Sequence, residues 1–165
     1  MKHRVFWVRF FLVASILTAI LIFWFSTQEG AESQQLSDGV TLQVAKVVKP
    51  DFEKLPEADR ISYLSQLGLI VRKNAHFGEF ALLGFNLLGW LKMRDPKRRW
   101  RACQLPAWVI ATLYAGTDEL HQRFISQRVG APLDVAIDSA GALTGVLVAT
   151  LVLFLALRRR EPRYE

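Results

Sequence analysis

The chain has 165 residues, a net charge of +6 and a hydrophobic content of 52%. A basic excess of this size can mark nucleic-acid binding, but the cations cluster beside apolar stretches, where anionic lipid and the retention of Lys and Arg on the cytoplasmic side account for them. The reading therefore excludes nucleic acid as a partner, and the single cysteine, Cys103, excludes an internal disulfide and a thiolate metal cluster.

In chain order, the first apolar stretch runs from about residue 5 to 28, with no charge between Phe10 and Gln28, and is long enough for the roughly 20 helical residues that a hydrocarbon core requires. It exceeds the apolar run of a cleaved signal peptide, and FSTQEGAES contains no clear small-x-small cleavage site, so a retained anchor is expected. A long link to Arg72 follows. Val40, Val44, Val47 and Val48, and then Ile61, Leu64, Leu67 and Val71, recur at helical spacing. The link is expected to be partly helical, as two short amphipathic helices lying on the outer leaflet. Further spans are expected at about 74–91, 102–120 and 132–157, each near the usual span length of about 17 to 25 residues.

Basic residues orient these spans. Lys2, Arg4 and Arg9 open the chain, KMRDPKRRWR separates spans two and three, and RRR at Arg158 follows span four. The expected fold is thus one all-α domain, an integral membrane bundle of four transmembrane helices with both termini cytoplasmic and a long, partly helical extracytoplasmic link between helices one and two.

Within this topology the charges inside the apolar stretches gather at one face of the membrane. Arg72, His76 and Glu79 stand at i, i+4 and i+7 on span two, with Lys73 displaced toward the interface; Tyr114, Asp118 and His121 make a similar stripe on span three, flanked by Glu119 and Gln122. On span four, Asp134 and Asp138 continue into Gly141 and Gly145, small residues that let a neighbouring helix approach closely. Arg128 lies in the outer loop. Membrane-level charges of this kind cost about 2.5 to 3.5 kcal/mol each on insertion scales and call for partners.

The strings RKNAHFGEFALLG from Arg72, LYAGTDELHQRFISQR from Leu113 and DVAIDSAGALTG from Asp134, with FSTQEG at Phe25 followed by Ser33 and Ser37, resemble the motifs of the VanZ-like membrane proteins over nearly the whole chain. The resemblance implies a small multi-pass protein of the bacterial cytoplasmic membrane, related to one associated with low-level resistance to the glycopeptide teicoplanin. It maps the family motif onto Lys73, His76, Asp118, Glu119, His121, Gln122, Arg128 and Asp134. Departures are Thr27 for a common serine, Phe80 for a frequent tyrosine, and Asp138 where asparagine is common.

Three readings of the cluster stay open. As a binding site for membrane lipid or a lipid-linked cell-wall precursor, Arg72, Lys73 and Arg128 would grip an anion, with His121 and Gln122 adding neutral hydrogen bonds. As an enzyme, His76, Glu79, Asp118, Glu119 and His121 are the candidate acid–base or metal-binding groups of a hydrolase or transferase, although no HExxH motif or evident serine or cysteine nucleophile motif is present. As a scaffold, the charges would fix helix order only. Neither a resident metal nor a cofactor is expected.

Overall fold

The computed structural model describes residues 2–27, 30–125 and 132–158, and all regular structure among them is helical. The helices are α1 (Lys2–Thr27), α2 (Gly30–Val48), α3 (Glu57–Arg94), α4 (Trp100–Ile125) and α5 (Pro132–Arg158), with one 3-10 turn at Phe52–Lys54. Helices α1 and α5 contain stretches, His3–Thr27 and Pro132–Arg158, that are long and apolar enough to cross a membrane. Helices α3 and α4 are less apolar, because their sequences carry most of the polar cluster.

The long link differs from expectation. Ile61 to Val71 does not form a separate helix on a leaflet but is the first part of α3, a continuous helix of 38 residues, about 57 Å long at 1.5 Å per residue. Nothing interrupts it: there is no proline after Pro56, and Glu57 and Asp59 at its start and Lys92 and Arg94 at its end complement the helix dipole. The apolar face expected to meet lipid is partly covered by α2 instead. Thr41 and Ala45 of α2 are buried, Thr41 touching the edge of α3 near Gly68, while Phe52 is buried against the Tyr63 ring. Lys49 lies over that ring, and Lys46 pairs with Glu53 at 2.8 Å, which closes the connection back to α3.

Close helix packing comes from small residues in register. On α4, Cys103, Ala107, Ala111 and Ala115 repeat at i+4 and are fully buried, as are Ala142 and Ala149 of α5; Phe80, Leu83, Leu87 and Leu88 of α3 fill the space between. Gly141 and Gly145 of α5 sit against the backbone carbonyls of Phe77 and Ala81, and Gly84 of α3 against that of Ala142, so the two backbones meet where no side chain stands. This supports the expectation for the glycine face of α5 and makes α3 its neighbour.

The opposite faces of the bundle carry large apolar side chains in the open, including Phe10, Ile16, Leu17 and Ile20 of α1 and Leu147 and Leu151 of α5. Soluble monomers rarely expose more than a few hundred Å² of contiguous apolar surface, so this exterior suits lipid. Inside, the polar groups are paired across helices: Trp108 Nε1 donates to Ser139, Gln104 to Thr150, Asn86 to Thr18 and the Tyr114 hydroxyl to the Ala19 carbonyl. At the opposite end from the charged cluster, Lys92 is buried in the α3–α4 turn, donates to the Pro96 and Arg98 carbonyls at 2.8 and 2.6 Å, and lies over the Trp100 ring.

Candidate functional site

The cluster forms where α1 ends, α4 ends, α5 begins and α3 is about half complete. Its centre is the Asp118 carboxylate, only 4% exposed. Ser26 of α1 donates its hydroxyl to Asp118 Oδ2 at 2.7 Å, and Gln122, one turn along α4, donates to the same oxygen at 3.0 Å and to Ser26 Oγ at 2.7 Å. The triangle ties α1 to α4. Hydrogen bonds to a charged acceptor are roughly twice as strong as neutral ones, and this one has apolar surroundings in the Phe23 and Phe80 rings, which lie against His121 and Tyr114.

Asp118 Oδ1, by contrast, is buried without a hydrogen-bond partner among the described residues, and so is His121 Nδ1. From α3, Glu79 places its Oε2 3.6 Å from His76 Nδ1, an ion-pair separation too long for a hydrogen bond. From α5, Asp138 is 7% exposed. Each of α3, α4 and α5 thus carries a buried or partly buried carboxylate at this end of the bundle. Among the described residues, no group of three His, Cys, Asp or Glu side chains converges closely enough to hold a metal ion.

Lys73, expected to grip an anion, has a partner within the protein. Its ammonium binds Asp134 at 2.8 Å, linking α3 to α5 at the rim, with both side chains about 40% exposed. Lys73 is thus the counter-ion of Asp134. Arg72, His76, Glu119 and Gln122 each have further partners. Arg128 lies outside the described residues, as do Gln28 and Glu29 beside Ser26.

The stripe on α4 has two directions rather than one. Tyr114, Asp118, His121 and Gln122 reach toward α1, through the Ala19 carbonyl, Ser26 and Phe23, while Tyr114 also meets the Phe80 ring of α3. Ser26 is a member of the cluster that helical spacing of the charged residues does not pick out. Its signal was its place at the far end of an uncharged span, in the FSTQ segment, at the depth of the other polar residues.

Comparison with known proteins gives one finding. The family model VanZ/LLP1 matches residues 11–154, which include every described residue of the cluster. No curated protein and no solved structure matches the chain.

Proposed function

The chain belongs to the VanZ/LLP1 family, and from that premise we propose that it is a four-span protein of the bacterial cytoplasmic membrane whose polar cluster binds the head group of an envelope lipid or a lipid-linked cell-wall precursor. Support for four spans is geometric: the second half of α3 and all of α4 pack alongside α1 and α5. If α1 and α5 cross the bilayer, those segments cross with them. Both termini and the Arg94–Arg101 turn then lie on the cytoplasmic side, as the basic residues require. The cluster sits near the outer interface, and α2 with the first turns of α3 rises above it.

The observation that carries the binding reading is the unfilled acceptor of Asp118. A buried oxygen left without a partner costs about 1 to 3 kcal/mol, and buried polar atoms are rarely left so. A ligand hydroxyl or amine would complete it, with the vacant His121 Nδ1 as a second contact. Binding of a cell-wall precursor at this depth connects the site to glycopeptide response, because glycopeptides act on such precursors outside the cell.

A second reading, an acid–base hydrolase or transferase acting on a lipid-linked substrate, is favoured by the Ser26–Asp118 hydrogen bond. A hydroxyl donating to a carboxylate is the arrangement in which the carboxylate, as general base, can take the hydroxyl proton as the oxygen attacks. The scaffold reading has the same triangle as support, since it holds α1 against α4.

The test is lipid analysis. Protein extracted with its native lipid in polymer discs is compared with Asp118→Asn, an isosteric change that keeps the Gln122 and Ser26 contacts available. Binding predicts a co-purifying lipid that the variant loses at unchanged melting temperature. Retention of the same lipids by both proteins refutes it, and turnover of the retained lipid that Ser26→Ala abolishes selects the catalytic reading.

A further inference from the structure

The turn between α3 and α4 carries Arg94, Lys97, Arg98, Arg99 and Arg101 against a single acid, Asp95, and all six residues are exposed. Among the described residues none of these cations is in an ion pair; Arg94 lies over the Trp90 ring at 5.8 Å. Arg158 ends α5 one turn beyond Phe154, whose ring lies against Trp100, and so adds charge at the same end of the bundle. Residues 159–165, which follow it, carry three arginines against Glu161 and Glu165 and do not cancel the excess. Nor do the cations serve α4 itself. Its first turn contains no acidic residue, and Arg98, Arg99 and Arg101 crowd the end at which the helix dipole is already positive, where added cations are unfavourable. Charge placed this way calls for an anion from outside the chain.

The face of α4 below the turn says which kind. Leu105, Val109 and Leu113 follow Arg101 at i+4, i+8 and i+12, all exposed, on the side of the helix opposite the buried Cys103, Ala107, Ala111 and Ala115. From Arg101 to Leu113 is about 18 Å at 1.5 Å per residue, close to the depth of about 15 Å of one leaflet of a hydrocarbon core. An uncovered apolar stripe as long as an acyl chain is thus headed by a cation. Trp90 and Trp100, half-buried on either side of the turn, belong to the residue type that gathers at head-group depth. A water-soluble phosphate would meet the cations and leave the stripe bare. Four of the five cations are arginines, whose planar forks match two oxygens of one phosphate.

We propose that Arg98 and Arg101, with the neighbouring cations of the α3–α4 turn, bind the phosphate of an anionic phospholipid whose acyl chain lies along Leu105, Val109 and Leu113. This surface is at the opposite end of the bundle from the Asp118 cluster, and the proposal rests on the four-span reading for placing α4 in the bilayer.

Full-length protein in mixed nanodiscs of phosphatidylcholine and phosphatidylglycerol tests it, one lipid or the other carrying a diazirine in its acyl chain. Illumination followed by mass spectrometry maps the adducts. Each cation near a membrane surface is worth about fivefold in affinity for anionic lipid, so at equal mole fraction adducts of phosphatidylglycerol on residues 105–113 should exceed those of phosphatidylcholine by about fivefold or more. Arg98→Gln combined with Arg101→Gln should bring the two to parity at an unchanged melting temperature in pure phosphatidylcholine discs. If that variant melts lower, Arg98→Lys with Arg101→Lys, which keeps the charge, decides: a retained preference for the anionic lipid supports the site, and parity overturns it.

Parity in the wild type, with adducts present on residues 105–113, overturns the lipid site and leaves the four spans standing. Absence of adducts from either lipid puts this face of α4 outside the bilayer, and the four-span reading falls with the proposal. A preference that the glutamine variant keeps at unchanged melting temperature overturns the assignment to Arg98 and Arg101. Loss of the preference on adding soluble glycerol phosphate overturns the lipid in favour of a water-soluble phosphate.

Discussion

Gly145→Ala adds a single methyl group where α5 meets α3, and the new Cβ would overlap the backbone carbonyl of Ala81. The obstacle is main chain, which no rotamer change removes, so the helices must part or shift along each other. Overpacking of this kind costs about 1 to 3 kcal/mol, less the few tenths to about 1 kcal/mol that alanine gains over glycine in a helix. The same substitution at Gly116 of α4 or Gly78 of α3 meets nothing within 4 Å and should be neutral or stabilising by about 0.4 to 1 kcal/mol. Unfolding by denaturing detergent in mixed micelles, followed by circular dichroism, measures all three. The sign should reverse between Gly145 and the two open positions. If Gly145→Ala proves as harmless as Gly116→Ala, the α3–α5 approach described above is wrong, and with it the placing of Asp134 and Asp138 beside Lys73 and Glu79.

Lys73→Ala and Asp134→Ala should each cost less than about 1 kcal/mol and couple by a similar small amount in a double-mutant cycle, because the pair is half exposed; a coupling of several kcal/mol would show a desolvated pair. Ser26→Ala and Gln122→Ala should be non-additive by about 0.5 to 2 kcal/mol, since both meet at Asp118 Oδ2, and strict additivity would refute the triangle. Lys92→Met leaves the Pro96 and Arg98 carbonyls without their donor, and a loss of about 1 to 3 kcal/mol is expected by the same detergent titration; no loss would count against the buried turn. Cysteines at Lys54 and Lys97, in a Cys103→Ala background, should react with an impermeant maleimide from opposite faces of the membrane, and labelling of both from one side refutes the four-span topology.

Helical periodicity made much of this fold legible. Charge-free length marked α1, the basic turn separated α3 from α4, and the spacing of Asp134, Asp138, Gly141 and Gly145 predicted a face of α5 that the glycines do bring against a neighbour. The length of α3 was not legible from the same signals. Arg72, Lys73 and His76 interrupt its apolar pattern and suggested a boundary between a surface helix and a span, yet charges do not break a helix; only a proline, a cap or an unmet hydrogen bond does, and none of these follows Pro56 before Arg94.

The partners within the cluster were harder to read, for a different physical reason. Spacing along one helix states which side chains share a face but not which neighbour that face meets, and the contacts here are set by residues far apart in sequence: Ser26 with Asp118, Lys73 with Asp134. Long flexible cations at a rim choose among several carboxylates by small energies, whereas a short serine hydroxyl reaches its acceptor only if the backbones are already placed. The small-residue seams of α4 and α5 do that placing. They let α3, α4 and α5 come close together beneath the polar cluster. Tight apolar packing below therefore holds together the polar cluster above.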